Sequence, residues 1–520
     1  MNLVRNFATV GGATLMSRVL GFVRDVLLAA AVGAGPVADA FVVAFRLPNL
    51  FRRLFAEGAF NSAFIPLFGR TVEEDGEEGA RRFAGEIGSA LLFCLLALTA
   101  LAQIFMPFVV WALAPGFVSD PEKFDLTVLM SRIAFPYLIF MSMLAFIGGI
   151  LNTYQRFAAA AFAPVMLNVV MGLVLGGVLF WGVEDSTTLG IILTLGITFG
   201  GIVQLTVVVI DLKRLGFRIP VYRPRYTKSA KRLLVLGIPG VIAGGVTQIN
   251  IAVGQVIASM QDGANALLYY ADRLYQLPLG VIGIAFGVVL LPSLTRQLRS
   301  GETAAYQKTL NRSLEFSLVL TLPAAVALAV IPDEIVSVLF QRVRFDEAAV
   351  EGTAAALMAF SFGLPAFVLN KVFSPGYFAR EDTKTPMKFA AIGMVVNVAL
   401  SIAFFPFLQH VGIALATTIA GWVNTGFLVI VLWKRGNFAP DTTVLRKLML
   451  VLLASLLMGL VIHFAADALA PYLKDGWLLI RVASLGALVL IGIAVFALFA
   501  QISGGSDLVG LAKSLKRRNT

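Results

Sequence analysis

Along this chain, apolar runs of about 20 residues alternate with short stretches carrying charge, glycine or proline, and each run can cross a bilayer of roughly 30 Å as a helix. Fourteen such runs are marked off, at 7–33, 37–67, 83–110, 127–154, 160–182, 188–210, 233–260, 266–295, 310–331, 350–376, 386–406, 411–433, 447–470 and 477–501. The pattern predicts an all-α polytopic membrane protein with 14 transmembrane helices. Composition agrees: mean hydropathy is +0.87 and charged residues make up 14% of the chain, against roughly 25% in soluble domains.

The 41 basic residues test the helix count. With the N-terminus inside, 28 fall in cytoplasmic segments, nine lie within helices, and four fall outside, Lys123, Arg342, Arg344 and Lys474. Cytoplasmic loops of membrane proteins carry this excess, so both termini are expected in the cytoplasm. The same distribution argues against nucleic acid as the target of the +11 net charge, because the cations are spread over many short loops. Membrane lipids are the expected contact. Arg18, Arg24 and Asp25 interrupt the first apolar run, which is therefore read as a spanning helix and not as a cleaved signal peptide.

An internal repeat organises the helices. Ala44-Phe45-Arg46-Leu47 is echoed by Ala271-Asp272-Arg273-Leu274, and Ala59-Phe60 with Pro66 by Ala285-Phe286 with Pro292. Pro136 and Asn168 recur as Pro365 and Asn397, both at an offset of 229. Two six-helix lobes of the same orientation, a parallel pseudo-repeat, are expected at 1–212 and 233–435, joined by a basic cytoplasmic linker at 213–232. Residues 436–520 then supply two extra helices and a basic cytoplasmic tail. In such repeats the substrate site lies near the membrane midplane, between the halves.

Several charges sit inside the apolar runs, each costing about 2.5–3.5 kcal/mol at a helix centre. Seven cations, Arg18, Arg24, Arg46, Arg52, Arg53, Arg273 and Lys371, face four acids, Asp25, Asp39, Glu57 and Asp272, leaving a net +3. Structural pairs account for some of these, with Asp25 beside an arginine and Glu57 one turn after Arg53. The surplus predicts a hydrated cationic cavity. Arginine stays charged when desolvated and bonds phosphate oxygens with both arms of its fork, so the ligand is expected to carry phosphate or carboxylate.

Chemistry of other kinds is not encoded. The only cysteine, Cys94, lies in an apolar run, and His410 and His463 stand alone near membrane edges with no partner at metal-ligand spacing. No phosphate-binding loop is present. No catalytic residue, metal or cofactor is expected.

The strings SRVLGFVRD (17–25), DAFVVAFRLPNLFRRLFAEGAF (39–60), LAPGF (113–117), ILNTYQRF (150–157), YYADRLYQLPLGVIGIAFGVVLLPSL (269–294) and PGYFAREDTKTPMK (375–388) resemble the MurJ/MviN family of bacterial lipid II flippases. That family belongs to the multidrug/oligosaccharidyl-lipid/polysaccharide exporter superfamily. The resemblance implies a transporter that moves lipid II, an undecaprenyl-pyrophosphate-linked disaccharide-pentapeptide, across the cytoplasmic (inner) membrane, with proteins of cell-wall synthesis as candidate partners. Another lipid-linked oligosaccharide or a small molecule is the alternative cargo. By the resemblance, Arg18, Arg24, Arg52 and Arg273 bind substrate, and Asp39, Glu57 and Asp272 support them, beside Asp25 and Arg53. Gln276 departs from the family, which has glutamate there, making the expected cavity more cationic. The extra helices, about 447–501, are implied to form a groove for the lipid tail, and their apolar sequence fits plain lipid-facing helices equally well. No residue pattern distinguishes H⁺, Na⁺ or membrane potential as the energy source.

Overall fold

A computed structural model describes residues 2–53, 60–224, 227–474 and 476–505. Its helices are α1 Asn2–Val32, α2 Pro36–Phe51, α3 Asn61–Leu113, α4 Pro121–Ala134, α5 Tyr137–Thr153, α6 Ala158–Trp181, α7 Ser186–Leu215, α8 Lys228–Ala258, α9 Ala264–Arg299, α10 Thr303–Val330, α11 Pro332–Phe340, α12 Glu347–Ser361, α13 Leu364–Phe378, α14 Lys384–Lys434, α15 Thr442–Lys474 and α16 Leu478–Ile502. Among the described residues there is no strand, and nine helical stretches are long and apolar enough to cross a membrane. The chain is an all-helical, multi-pass membrane protein.

Two of the expected helices are each divided in two, for identifiable reasons. The run 127–154 becomes α4 and α5, which meet at Pro136. Proline lacks the amide hydrogen the helical ladder needs and crowds the preceding turn. The run 350–376 becomes α12 and α13 in the same way, at Gly363 just before Pro365. The two repeat-related prolines thus mark the same kind of joint. Elsewhere the structure joins what the pattern separates. The runs 386–406 and 411–433 lie in α14, interrupted at Gln409 (φ 50°, ψ −134°). The end of 37–67 and all of 83–110 lie in α3, interrupted at Gly76 (φ 69°). Short α11 was hidden in a predicted connection; Pro332 opens it, and Asp333 and Glu334 sit in its first turn, where the helix dipole favours acids.

The chain divides into two compact units, Met1–Ala266 and Leu267–Thr520. In the first, α6 packs against α1 and α7, α2 against α4 and α7, α5 against α3 and α7, and α8 against α3. Phe64 anchors its aromatic core, touching Phe60, Phe68, Phe83 and Phe146. In the second unit, α10 packs against α12, α13 and α15, α15 pairs with α16, and α14 lies on α12 and α13. Buried Tyr377 donates its hydroxyl to Leu428 O at 2.7 Å, fastening α13 to α14. Many large apolar side chains remain exposed, among them Leu490 and Ile493 on α16 and Leu453 and Phe464 on α15. Lipid tails are as apolar as these side chains, so such faces need no protein cover.

Candidate functional site

Arg24 and Asp25 of α1 form one buried polar cluster with Asn168. Arg24 donates from Nε and Nη2 to Asp25 Oδ1 at 3.1 and 2.7 Å, and from Nη1 to Asn168 Oδ1 at 3.0 Å. Asn168, on α6, turns its amide nitrogen to Ser17 O at 2.8 Å. Gly21 lies against the Asn168 amide, where an added Cβ would sit in van der Waals contact at 3.4 Å. The Arg24 side chain is 13% exposed and Asp25 less. Arg18, which the spacing places on the same face as Asp25, is instead exposed, and Asp25 is taken by its immediate neighbour.

The charges of α2 separate. Asp39 is fully buried at the start of the helix, where its carboxylate accepts from Lys123 Nζ at 2.7 Å, Gly263 N at 2.8 Å and Ala266 N at 3.0 Å. Lys123 is as deeply buried, stands over the Phe117 ring at 4.2 Å and also reaches exposed Asp262 at 3.0 Å. At the other end of α2, Arg52 donates to Asn49 Oδ1 at 3.2 Å and is half-buried, while Arg53 is exposed. Glu57, the expected partner of Arg53, lies outside the described residues.

In the second unit, Arg273 stacks over the Tyr269 ring at 4.7 Å, and Gln276 donates its amide to the Asp272 carboxylate. A glutamate at 276 would set two carboxylates one turn apart, whereas the glutamine amide is a donor. Lys371 is exposed. Arg132, near a helix end, is likewise exposed and bonds Gln103 O at 3.2 Å.

The arrangement offers guanidinium groups within apolar helices. Arg24 is held rigidly, and Arg18, Arg52 and Arg53 are partly or wholly accessible. Such donors can bind phosphate oxygens. A family model described as "Lipid II flippase MurJ" matches residues 28–483. The chain belongs to the MurJ lipid II flippase family. This flippase is 48% identical over 520 residues to the "Probable lipid II flippase MurJ" of Rhizobium tropici, covering 100% of this chain and 97% of that one. It is 34% identical over 472 residues to the "Lipid II flippase MurJ" of Burkholderia cenocepacia, covering 90% of each. Among solved structures, "Lipid II flippase MurJ, inward closed conformation" superposes with a TM-score of 0.78 at 27% identity, over 95% of this chain and 98% of the other. An inward-facing MATE-family transporter of the MOP superfamily shares the fold, with a TM-score of 0.64 at 15% identity, over 81% of this chain and 94% of that one. The flippase is therefore a transporter with lipid II as its substrate.

Sequence reasoning missed two residues of this region. Lys123 reads from the sequence as an outside-loop residue, and its signal is that it is one of only four exceptions to the charge asymmetry. Asn168 stands out in the sequence only as a repeat match, and its signal is that it is a lone asparagine in an apolar helix, opposite a helix with two adjacent charges.

Proposed function

We propose that this flippase carries the undecaprenyl-pyrophosphate-linked headgroup from the inner to the outer leaflet of the bacterial cytoplasmic membrane by alternating access. Arg18, Arg24, Arg52 and Arg273 bind the pyrophosphate, and Asp25, Asp39, Arg53, Glu57, Asp272 and Gln276 set the charge and geometry around them. The polyprenyl tail stays in lipid while the headgroup crosses. The observation that carries this reading is Arg24, a guanidinium in an apolar helix fixed by both Asp25 and Asn168. A pyrophosphate in hydrocarbon would meet a large desolvation penalty, and preorganised guanidinium donors offset it.

The same proposal reads fourteen spans with both termini cytoplasmic, in lobes 1–212 and 233–435 followed by two extra helices. It is supported by α14, of 51 residues, which at about 1.5 Å per residue is more than twice the hydrocarbon thickness and is broken once, at Gln409, as two successive spans require. The matching joints at Pro136 and Pro365 support the repeat.

The test is headgroup translocation by Arg18→Ala, Arg24→Ala and Arg52→Ala variants at equal membrane abundance. All three are expected to lose most of the activity, and normal translocation in all three would overturn the cationic-cavity mechanism.

A further inference from the structure

Of the four cations that the charge asymmetry leaves outside, Lys123 is neutralised by Asp39, but Arg342 meets another cation. Arg342 lies in the turn between α11 and α12 and donates to Leu339 O and, at 3.1 Å, to Val338 O. Arg481, in the first turn of α16, donates from Nη2 to Ser337 O and Ser337 Oγ at 2.9 Å and to Gln341 Oε1 at 3.3 Å, and from Nε to Leu473 O at 2.9 Å. Both guanidiniums therefore gather on the C-terminal end of α11, and among the described residues every acceptor they use is neutral.

Neither arginine forms an ion pair with a carboxylate of the described residues. Asp346, the nearest acid along the turn, accepts from Ala349 N at 2.9 Å as the cap of α12. Burial, and behind it the Arg481 charge, push the Arg342 guanidinium below its ordinary value. The carbonyl end of α11 supplies about half a negative charge, less than two guanidiniums require.

The turn itself is built with strain. Val343 has φ 47°, a conformation that β-branched residues avoid, and its side chain is 84% exposed. Behind it Phe345 is buried against Tyr270 and Phe340, at ring-centroid distances of 5.2 and 5.8 Å, which holds the turn in place. An apolar tip is thus presented between Arg342 and Arg344. Beside Arg481, the end of α15 exposes Tyr472, the connection to α16 exposes Trp477, at 85%, and the start of α16 exposes Leu479. Aromatic residues of this kind settle at the level of lipid headgroups.

We propose that Arg342 and Arg481 form a binding site for a lipid-borne phosphate at the outer-leaflet end of α11, α15 and α16. Two adjacent forks can share the non-ester oxygens of one phosphate, and the apolar rim lies alongside the acyl or prenyl chains. The outer placement rests on the topology of the proposed function; the site itself does not depend on the cavity arginines. Its occupant is an anionic phospholipid of the outer leaflet or the pyrophosphate of the polyprenyl substrate.

Native mass spectrometry of the full chain, offered phosphatidylglycerol or phosphatidylcholine, tests it. Phosphatidylglycerol is expected to be retained in preference, and Arg342→Gln to weaken that retention about tenfold, the worth of one hydrogen bond to a charged group. Arg342→Lys is expected to keep part of it. Competition by undecaprenyl pyrophosphate identifies the substrate as occupant, and its failure to compete identifies the phospholipid. Equal retention by wild type and Arg342→Gln overturns the proposal. A second measurement needs no variant: phosphatidylglycerol should slow phenylglyoxal modification of Arg342 and Arg481 in the wild-type chain, and unchanged rates overturn the proposal. Arg24→Ala should lose headgroup translocation yet keep phosphatidylglycerol retention, so this site and the cavity fail or stand separately.

Discussion

Two of the turns that the proposed topology places on the outer side solve the same problem in opposite ways. In the first unit, the turn from α8 to α9 uses Gly263 at φ 75°, where an added Cβ would lie 2.8 Å from Ala34 O, and its amides close on the Asp39 carboxylate. The accompanying cation, Lys123, is matched by that carboxylate, with side-chain exposures of 1% and 0%. In the second unit, the turn from α11 to α12 uses an exposed valine at φ 47°, and Arg342 of that turn and Arg481 of α16 have no carboxylate partner among the described residues. A closed turn with its charge matched serves the fold. An open, strained turn with surplus charge has the properties of a binding site.

The strongest way to break the comparison is to unbalance the closed turn. Lys123→Met leaves Asp39 with two amide donors and no countercharge, and removal of one partner of a buried pair typically costs about 3–5 kcal/mol. Thermal unfolding in detergent or nanodiscs should show that loss, and Asp39→Asn in the same background should recover much of it. A Lys123→Met protein as stable as wild type would mean that the buried pair is not what closes this turn.

The Arg24 cluster stands between these extremes, since its charge is matched yet partly accessible. Asn168→Ala removes a hydrogen bond to a charged group, worth about 1.5–3 kcal/mol. With Arg24 free to swing toward Asp25 alone, headgroup translocation should fall about tenfold, while unfolding shifts less than for Lys123→Met. A variant that flips normally but unfolds early would make Asn168 a packing residue only.

How much of this was legible in the chain varied with the physical origin of each feature. The helices were readable because burial in lipid demands long apolar runs. Their joints at Pro136 and Pro365 were written in the sequence as well, although a run-length rule reads straight across them. Arg18, Arg24 and Arg52 announced themselves as charges in apolar runs. The partner of Asp39 did not, because Lys123 lies 84 residues away and reaches it only through the packing of α2 against α4. The Arg342–Arg481 pairing was invisible for the same reason, joining residues 139 apart in sequence number across a short helix that no span rule detects. Pairings set by tertiary packing leave only an indirect trace, here as exceptions to the inside bias of positive charge.

A smaller change would make the open turn resemble the closed one. Val343→Gly relieves a backbone conformation costing about 1–3 kcal/mol in a non-glycine residue, against about 0.5–1 kcal/mol of added chain entropy in the unfolded state. Because the valine side chain is exposed, little packing is lost. A net gain of about 1 kcal/mol is expected in thermal unfolding, and a loss would show that the valine side chain contributes something the strain does not outweigh.

The smallest effect belongs to an ion pair on the side assigned to the cytoplasm, between Asp382 and Arg435 at 2.8 Å, with side-chain exposures of 27% and 47%. The Thr385 hydroxyl and, behind it, Arg435 hold the Asp382 carboxyl down at about 2. An unfolded aspartate titrates near 3.9, so the folded state favours the ionised form. The contribution is therefore complete above about pH 4 and fades as the pH falls through the folded value near 2. Melting temperatures of wild type and Asp382→Asn should differ by a small, constant amount at neutral pH and converge only below about pH 2. Solvent screening keeps the difference well under that of Lys123→Met, because exposed pairs gain little from their attraction. If instead the two substitutions cost the same, burial would not be what separates a structural pair from a marginal one, and the contrast between the closed and open turns would lose its physical basis.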